Sequence, residues 1–253
     1  PFRALSRDPA RAHELLGEVP VVEGDFERPE TLAPAMEDVD HVFLLTPGAT
    51  DQVAQEGAVV EAARRAGAVH IVKQSVHGAA LESPSALVRW HAEAERLVES
   101  SGLGYTILRP ALFMQMATLL RGPDGTVRSI VGDARIGFVD TRDIAAVAVE
   151  ALTKAGHQGR IYDLTGPETL TWDDVAERLT RAGLPTRYQQ VSEDESRAAM
   201  AQYMPAWRVE PTLEFNREIG RGLYDATTND VELVTGRPPR SFDDFVVELQ
   251  AAA

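Results

Sequence analysis

Residues 41–72 read HVFLLTPGATDQVAQEGAVVEAARRAGAVHIV, and the fold is decided by how this run is parsed. His41 to Leu45 is a nearly continuous apolar stretch closed by Thr46-Pro47-Gly48, which predicts a strand buried on both faces and ended by a turn. Val53, Gly57, Val60 and Ala63 then recur at helical spacing up to Gly67, a residue suited to a helix end. Val69 to Val72 supplies a second apolar strand. Two strands joined through a helix need a crossover, and a crossover makes them parallel.

The same rhythm continues in both directions. Towards the N-terminus, Phe2 to Ser6 reads as a short strand, followed after Asp8-Pro9 by a helix carrying Ala12, Leu15 and Leu16 and stopped by Gly17. Val19 to Val22 is the next strand, and Pro29 opens a short helix holding Leu32 and Met36. Towards the C-terminus, Ser83 as N-cap and Pro84 in the first turn begin a helix whose packed face is Leu87, Trp90, Ala94, Leu97 and Val98, with Gly102 at its end. Tyr105 to Leu108 follows as a strand; Ile144, Val147, Ala148, Ala151 and Leu152 trace a later helix, and Ile161 to Leu164 a later strand. Thr171 with Asp174 and Ser241 with Asp244 mark polar helix starts. Crossover helices must cover both faces of such a sheet, so the expected class is α/β: a doubly wound parallel sheet, Rossmann-like, with a smaller C-terminal substrate-covering part. One domain is expected over residues 1–253, with roughly 110–130 and 158–253 closing over a substrate.

Composition narrows the partners. The 39 acidic and 25 basic residues leave a net charge of −14, whose averaged field repels nucleic acid and anionic lipid surfaces. Cysteine is absent, which removes thiolate nucleophiles and cysteine metal sites and fits a cytoplasmic location. No run approaches the ~20 apolar residues of a membrane span, so no membrane partner is expected. The six histidines show no metal-ligand spacing, and no metal is assigned.

Open parallel sheets bind ligands beyond the carboxyl ends of their strands. Ser6 and Arg7 follow the first strand, and a guanidinium there suits the 2′-phosphate of NADP better than the free ribose of NAD. Asp25 and Phe26 follow the second; the carboxylate suits an adenine amino group, and equally a cap on the next turn. Thr46 and Pro47 follow the third strand and Ser75 and Val76, in Ser75-Val76-His77-Gly78, the fourth, both small turns that let a dinucleotide backbone approach.

These stretches carry a resemblance. Ser101-Gly102-Leu103-Gly104-Tyr105-Thr106-Ile107-Leu108-Arg109-Pro110 with Phe113-Met114, together with Arg3 to Pro9, Gly24-Asp25, Gly137-Phe138-Val139-Asp140, Asp143-Ile144 and Leu164-Thr165-Gly166-Pro167-Glu168, resemble the blocks of the NmrA-like atypical short-chain dehydrogenases, in order and across nearly the whole chain. What the resemblance implies is NAD(P)H binding, with NADPH preferred on the strength of Arg7 and NAD an open second, and a role as a reductase of a quinone-like or conjugated carbonyl acceptor. The alternative it implies is a regulator that senses NADP(H) without turnover, working through a protein partner or a second copy of the chain.

Two departures qualify the likeness. The family opens with a strand and a glycine-rich turn that cradles pyrophosphate, and this sequence is expected to begin at the family's second strand, leaving either a gap of about 10 Å beside the strand at His41 or a re-paired sheet. The sequence is therefore expected to be an N-terminally shortened form of a longer protein. The Tyr-x-x-x-Lys pair of ordinary short-chain dehydrogenases is also missing, since the two lysines, Lys73 and Lys154, have Val69 and Glu150 four positions before them. On the matching helix those positions resemble Leu87 and His91, and His91 is the expected proton donor or orienting group because histidine titrates near neutrality. Reducing a quinone leaves a stabilised aryloxide and asks little of a protein acid, so Pro110 and Phe113 are expected to stack a nicotinamide on its acceptor. Met114 and Met116 are expected near the entrance to that site.

Overall fold

The computed structural model describes residues 2–251. In chain order its elements are β1 (Ala4–Ser6), α1 (Pro9–Leu16), β2 (Val21–Glu23), α2 (Leu32–Ala35), β3 (His41–Leu44), α3 (Gln52–Ala66), β4 (His70–Gln74), α4 (Ala86–Glu99), β5 (Gly104–Pro110), α5 (Met116–Leu119), β6 (Thr126–Ser129), α6 (Thr141–Thr153) and β7 (Arg160–Leu164). There follow α7 (Trp172–Arg181), β8 (Arg187–Gln190), α8 (Glu193–Met200), α9 (Ala206–Gly220), α10 (Asp230–Thr235) and α11 (Phe242–Ala251).

β3, β4, β5 and β7 form one parallel sheet in that order, with Val42 opposite Ile71, Ile71 opposite Tyr105 and Arg109 opposite Asp163. β1 and β2 form their own parallel pair, and among the described residues no ladder joins that pair to β3. The pair is attached through its side chains instead. Leu5 and Phe26 pack against the cluster beneath α2 and α3, and the Arg3 guanidinium donates to the carbonyls of Ala35 (3.1 Å) and Glu37 at the end of α2.

Helices cover both faces of the central sheet, as the alternation of strand and helix requires. Val42, Leu44 and Ile71 face α2, α3 and the end of α4, where they meet Leu32, Val59, Val60, Ala63 and Val98. Val72, Leu108, Tyr162 and Leu164 face the other way, against Ile144, Val147 and Ala151 of α6 and Val231 of α10. A separate core gathers Met114, Ile136, Phe138, Trp172, Leu179, Tyr224 and Phe242 around β6, α7 and α11. The α7 start is a reciprocal capping box between Thr171 and Asp174, and Ser241 with Asp244 makes the same exchange before α11. Residues 160–164, inside the stretch expected to cover a substrate, form a strand of the main sheet. No helix among the described residues is long and apolar enough to cross a membrane.

Three local expectations are corrected. β3 is not buried on both faces: Val42 and Leu44 are buried, whereas Phe43 is 40% and Leu45 50% exposed, because β3 pairs only with β4 and forms the border of its sheet. α4 starts at Ala86 rather than after Ser83, with the Ala86 amide donating to Glu214 Oε2 of α9 (3.0 Å). Its buried face is Val88, Ala92, Ala94, Glu95 and Val98, so Leu97 lies partly in solvent and Trp90 turns to Trp207 on α9. The hydrophobic pattern missed this rotation because one buried position is a glutamate.

Charge is also buried under β4. Successive side chains of a strand alternate between faces, so Ile71, Lys73 and Ser75 all point at α3 and α4. Lys73 has no solvent exposure and its ammonium lies 2.6 Å from Glu56 of α3, itself 1% exposed. Thr46 Oγ1 (2.6 Å) and Gln52 Nε2 (2.9 Å) donate to the other Glu56 oxygen. Removing one member of such a pair strands a charge in the interior, at a typical cost of about 3–5 kcal/mol. Lys73→Ala is expected to lose about that much in urea unfolding, whereas Lys73→Met combined with Glu56→Leu should lose less than the single change does.

Candidate nicotinamide-dinucleotide site

The turns after β1, β2 and β3 converge on one cleft of about 430 Å³, within the usual span of small-molecule sites. Ser6, Arg7, Gly24, Asp25, Phe26 and Glu27 form one wall; Leu45, Pro47, Gly48, Ala49 and Gln55 form the other. Five of the residues picked out from the sequence, Ser6, Arg7, Asp25, Phe26 and Pro47, therefore meet although they come from three different turns.

Local hydrogen bonding explains how each is held. Ser6 Oγ donates to the Asp8 carbonyl (3.0 Å) and accepts from the Asp8 amide (3.1 Å), while Asp8 Oδ1 accepts from the Arg11 amide and caps α1. This tight turn leaves Arg7 exposed at the rim, with no hydrogen bond or ion pair to any described residue. Asp25 Oδ1 accepts from the Glu27 amide (3.0 Å), with Arg28 Nε 3.5 Å from its other oxygen, so its carboxylate shapes the turn as well as lining the cleft. Phe26 is half-buried against the core under α2 and α3. A Cβ placed on Gly48 would meet nothing within 4 Å, so the main chain there is open to an approaching ligand. A free guanidinium, a ring and bare main chain around a concave space fit one phosphorylated nucleoside end of a dinucleotide.

The other expected residues lie in a different setting. Thr46 is buried, with its hydroxyl committed to Glu56, and it holds the turn that carries Pro47 and Gly48. Ser75 is buried and donates to Glu95 Oε1 (2.5 Å); the same carboxylate receives two bonds from Arg109 (3.0 and 2.6 Å). Val76 packs against the core around Tyr224, Pro110 is buried at the end of β5, and Phe113 packs against the core under α6. Met114 is a core residue rather than an entrance residue, while Met116 is half-buried in α5.

His91 projects from α4 towards α3, with Nδ1 3.4 Å from Gln52 Nε2. Burial, reinforced by the nearby Lys73 charge, lowers its pKa from 6.5 to about 3. His91 is thus neutral at physiological pH, and the expectation of a group titrating near neutrality is corrected: its ring can donate or accept a hydrogen bond without carrying charge.

Several polar residues received no site role in the sequence reading: Lys73, Gln52, Gln55, Glu56, Glu95, Arg109, His77 and Asp163. The available signal was polar residues standing at positions that the apolar periodicity marks as inward, namely 52, 55 and 56 in α3, 95 in α4 and 73 in β4.

The parallel α/β sheet, with the turns at the carboxyl ends of its strands lining a cleft, is of the dinucleotide-binding class of folds. Residues 1–155 match the NAD(P)H-binding family, and the chain belongs to that family. It is 38% identical over 259 residues to the NAD(P)H azoreductase of Xenophilus azovorans, covering 100% of this chain and 90% of the relative. An NADPH-dependent quinone oxidoreductase from Escherichia coli, solved in complex with NADPH, superimposes with a TM-score of 0.84 at 26% identity, covering 97% of this chain and 89% of the other. The triphenylmethane reductase of Citrobacter sp., complexed with NADP(H), gives a TM-score of 0.83 at 25% identity, with the same coverage of 97% and 89%. The relatives and the NmrA-like resemblance therefore agree on the cofactor class.

The His91 environment has a pH signature. Because its folded pKa lies below the unfolded value, the neutral ring adds stability that is present above pH 6.5 and is lost as pH falls towards about 3. His91→Gln should escape this loss. Urea unfolding at pH 7 and pH 4 is expected to show the variant retaining about 1–3 kcal/mol that the parent loses.

Proposed function

We propose that the chain is an NADPH-dependent reductase of a planar conjugated acceptor, quinone-like, carbonyl or azo, working by direct hydride transfer. The observation that carries this reading is Arg7: a guanidinium free of described partners, at the rim of the cleft, beside the turns after β1, β2 and β3. The reductase names of the relatives support it from a second direction.

When bound, the dinucleotide supplies the hydride. The chain supplies binding and order. Arg7 is suited to hold a 2′-phosphate through paired, charge-assisted hydrogen bonds, and Phe26 and the Asp25 turn wall the adenine end. Gly48 permits main-chain approach, and Thr46, tied to Glu56, keeps that turn in place. His91 stays neutral and serves as an uncharged hydrogen-bonding group on α4. In this reading Ser75, Val76, Pro110 and Phe113 shape the floor on which the nicotinamide end would rest, acting by packing rather than by direct polar contact.

The test is nicotinamide absorbance at 340 nm with the full chain, NADPH and a panel of quinones, azo dyes and enones. Oxidation with at least one acceptor is expected; none with any acceptor would remove the proposal. Arg7→Glu should weaken NADPH by about 10–100-fold in KM while leaving NADH within a few-fold, since a charged hydrogen bond contributes about 1.5–3 kcal/mol. Equal loss with both nucleotides would show that Arg7 does not read the phosphate.

A further inference from the structure

Strand β4 carries more than the floor of the sheet. Its alternation places Lys73 and Ser75 on the α3–α4 face, and the chain continues past the strand end to His77 on the same side. These positions form three polar tiers that climb towards the ligand-binding rim. Lys73 is closed by Glu56, and Ser75 is closed by Glu95, which also holds Arg109. His77 is the tier that stays open.

His77 Nδ1 lies 2.8 Å from Asp163 Oδ1 on β7, and the side chains are 17% and 35% exposed. The His77 amide donates to the Pro110 carbonyl (2.9 Å), and the Tyr224 hydroxyl donates to the His77 carbonyl (3.4 Å), which fixes the backbone at both sides. The ring stands edge-on to Tyr224 at 5.4 Å, and Tyr224 in turn packs edge-on against Phe215. Asp163 is itself anchored, its amide donating to Asp230 Oδ2 (2.7 Å) and its carbonyl accepting from Thr228. The carboxylate therefore orients the imidazole. Nε2 has no partner among the described residues and is not sealed from solvent, so it is the nitrogen left to act.

We propose that His77, oriented by Asp163, delivers the proton that completes acceptor reduction; the inference rests on the reductase reading above. It places a proton donor just past the carboxyl end of β4, the strand that pairs with β3, and the turn after β3 borders the cleft. The charged and titratable groups around it are Asp163 and Asp230 from β7 and α10, Tyr224 after α9, and Arg109 on β5 with Glu95 on α4. Burial and the Asp163 charge push the Asp230 carboxyl up, and burial pushes the Tyr224 phenol up, so the phenol stays protonated and does not compete as a base.

The step balances. The acceptor takes a hydride with its electron pair from the dihydronicotinamide, which is oxidised to the nicotinamide cation. The pair displaced in the acceptor settles on its carbonyl oxygen or second azo nitrogen, the imidazolium Nε2–H bond breaks, and an O–H or N–H bond forms. The imidazole is left with its proton on Nδ1, facing Asp163, and water restores the other. The same carboxylate, 2.8 Å from Nδ1, selects the tautomer and holds the ring with Nε2 outward.

The experiment has two arms. In the first, kcat is measured against pH for menadione, whose product is a stabilised aryloxide, and for methyl red, whose reduced nitrogen is basic. His77→Gln is expected to lower kcat on the order of 10²-fold with methyl red and much less with menadione, and to abolish the fall in rate that the parent shows as the imidazolium is lost at rising pH. Asp163→Asn, which removes the orienting partner of the ring, should lower kcat with methyl red in the same direction and by less, with NADPH binding by fluorescence unchanged in both variants. An unaltered pH limb in His77→Gln would overturn the inference.

The second arm is independent of turnover. In the full chain labelled with ¹⁵N-histidine, the His77 Nε2 signal, assigned by its loss in His77→Gln, should move when menadione is added in the presence of NADP⁺ while the Nδ1 signal keeps its bonded character. A signal that stays still would overturn the inference even if the chain reduces acceptors. A chain that oxidises no NADPH, but whose Nε2 signal moves, would instead retire the reductase reading and leave His77 as the group that meets the acceptor.

Discussion

An ammonium without solvent cannot stand alone, and the interior of this protein is organised around that constraint. Lys73 sits in the middle of the sheet with no exposure, so Glu56 must meet it from α3. Once Glu56 is committed, its second oxygen gathers Thr46 and Gln52, and Gln52 lies beside His91 of α4. One ion pair thereby ties a strand, a helix, the turn that enters the nucleotide cleft and a second helix into a single register. The apolar clusters on both sides supply bulk stabilisation but would tolerate small rotations that this network does not.

The same face gives the functional reading its geometry. Polar tiers at residues 73, 75 and 77 run from the centre of the sheet to its rim, each met by a carboxylate from another element: Glu56, Glu95 and Asp163. The first two are sealed and hold the architecture. The third is open to solvent and lies where parallel sheets present their ligands. Structural and chemical uses of one repeating pattern are thus separated only by how far along the strand a side chain falls.

The nucleotide cleft follows a different logic. Its residues need no buried partners, because they lie on short turns at the ends of β1, β2 and β3, and a turn committed to its own hydrogen bonds leaves the neighbouring side chain free to point outward. Ser6 and Asp8 close one turn and expose Arg7; Asp25 closes the next. Such positions were readable in advance, since strand ends and turn residues are local properties of the chain. Thr46 and Ser75, chosen by the same rule, have their hydroxyls committed to Glu56 and Glu95, because which partner a buried side chain on a turn meets depends on elements far away in sequence. His91 shows the difference most plainly: a helical histidine looks like a group that titrates near neutrality until α3 and Lys73 close around it.

From the chain alone came the parallel α/β architecture, the order of its elements and the turns that ring the cleft, all of which rest on local periodicity and backbone preference, and the proposal that Arg7 reads a 2′-phosphate starts from its place on one of those turns. The three-dimensional structure alone decided that β3 keeps one face partly open, that α4 turns its glutamate inward, and that His77 finds Asp163 at a separation of 86 residues. The physical reason is that periodicity records only whether a position avoids water. Which charge answers a buried charge is set by the packing of distant elements, and a sequence pattern that treats every polar residue as outward cannot register it.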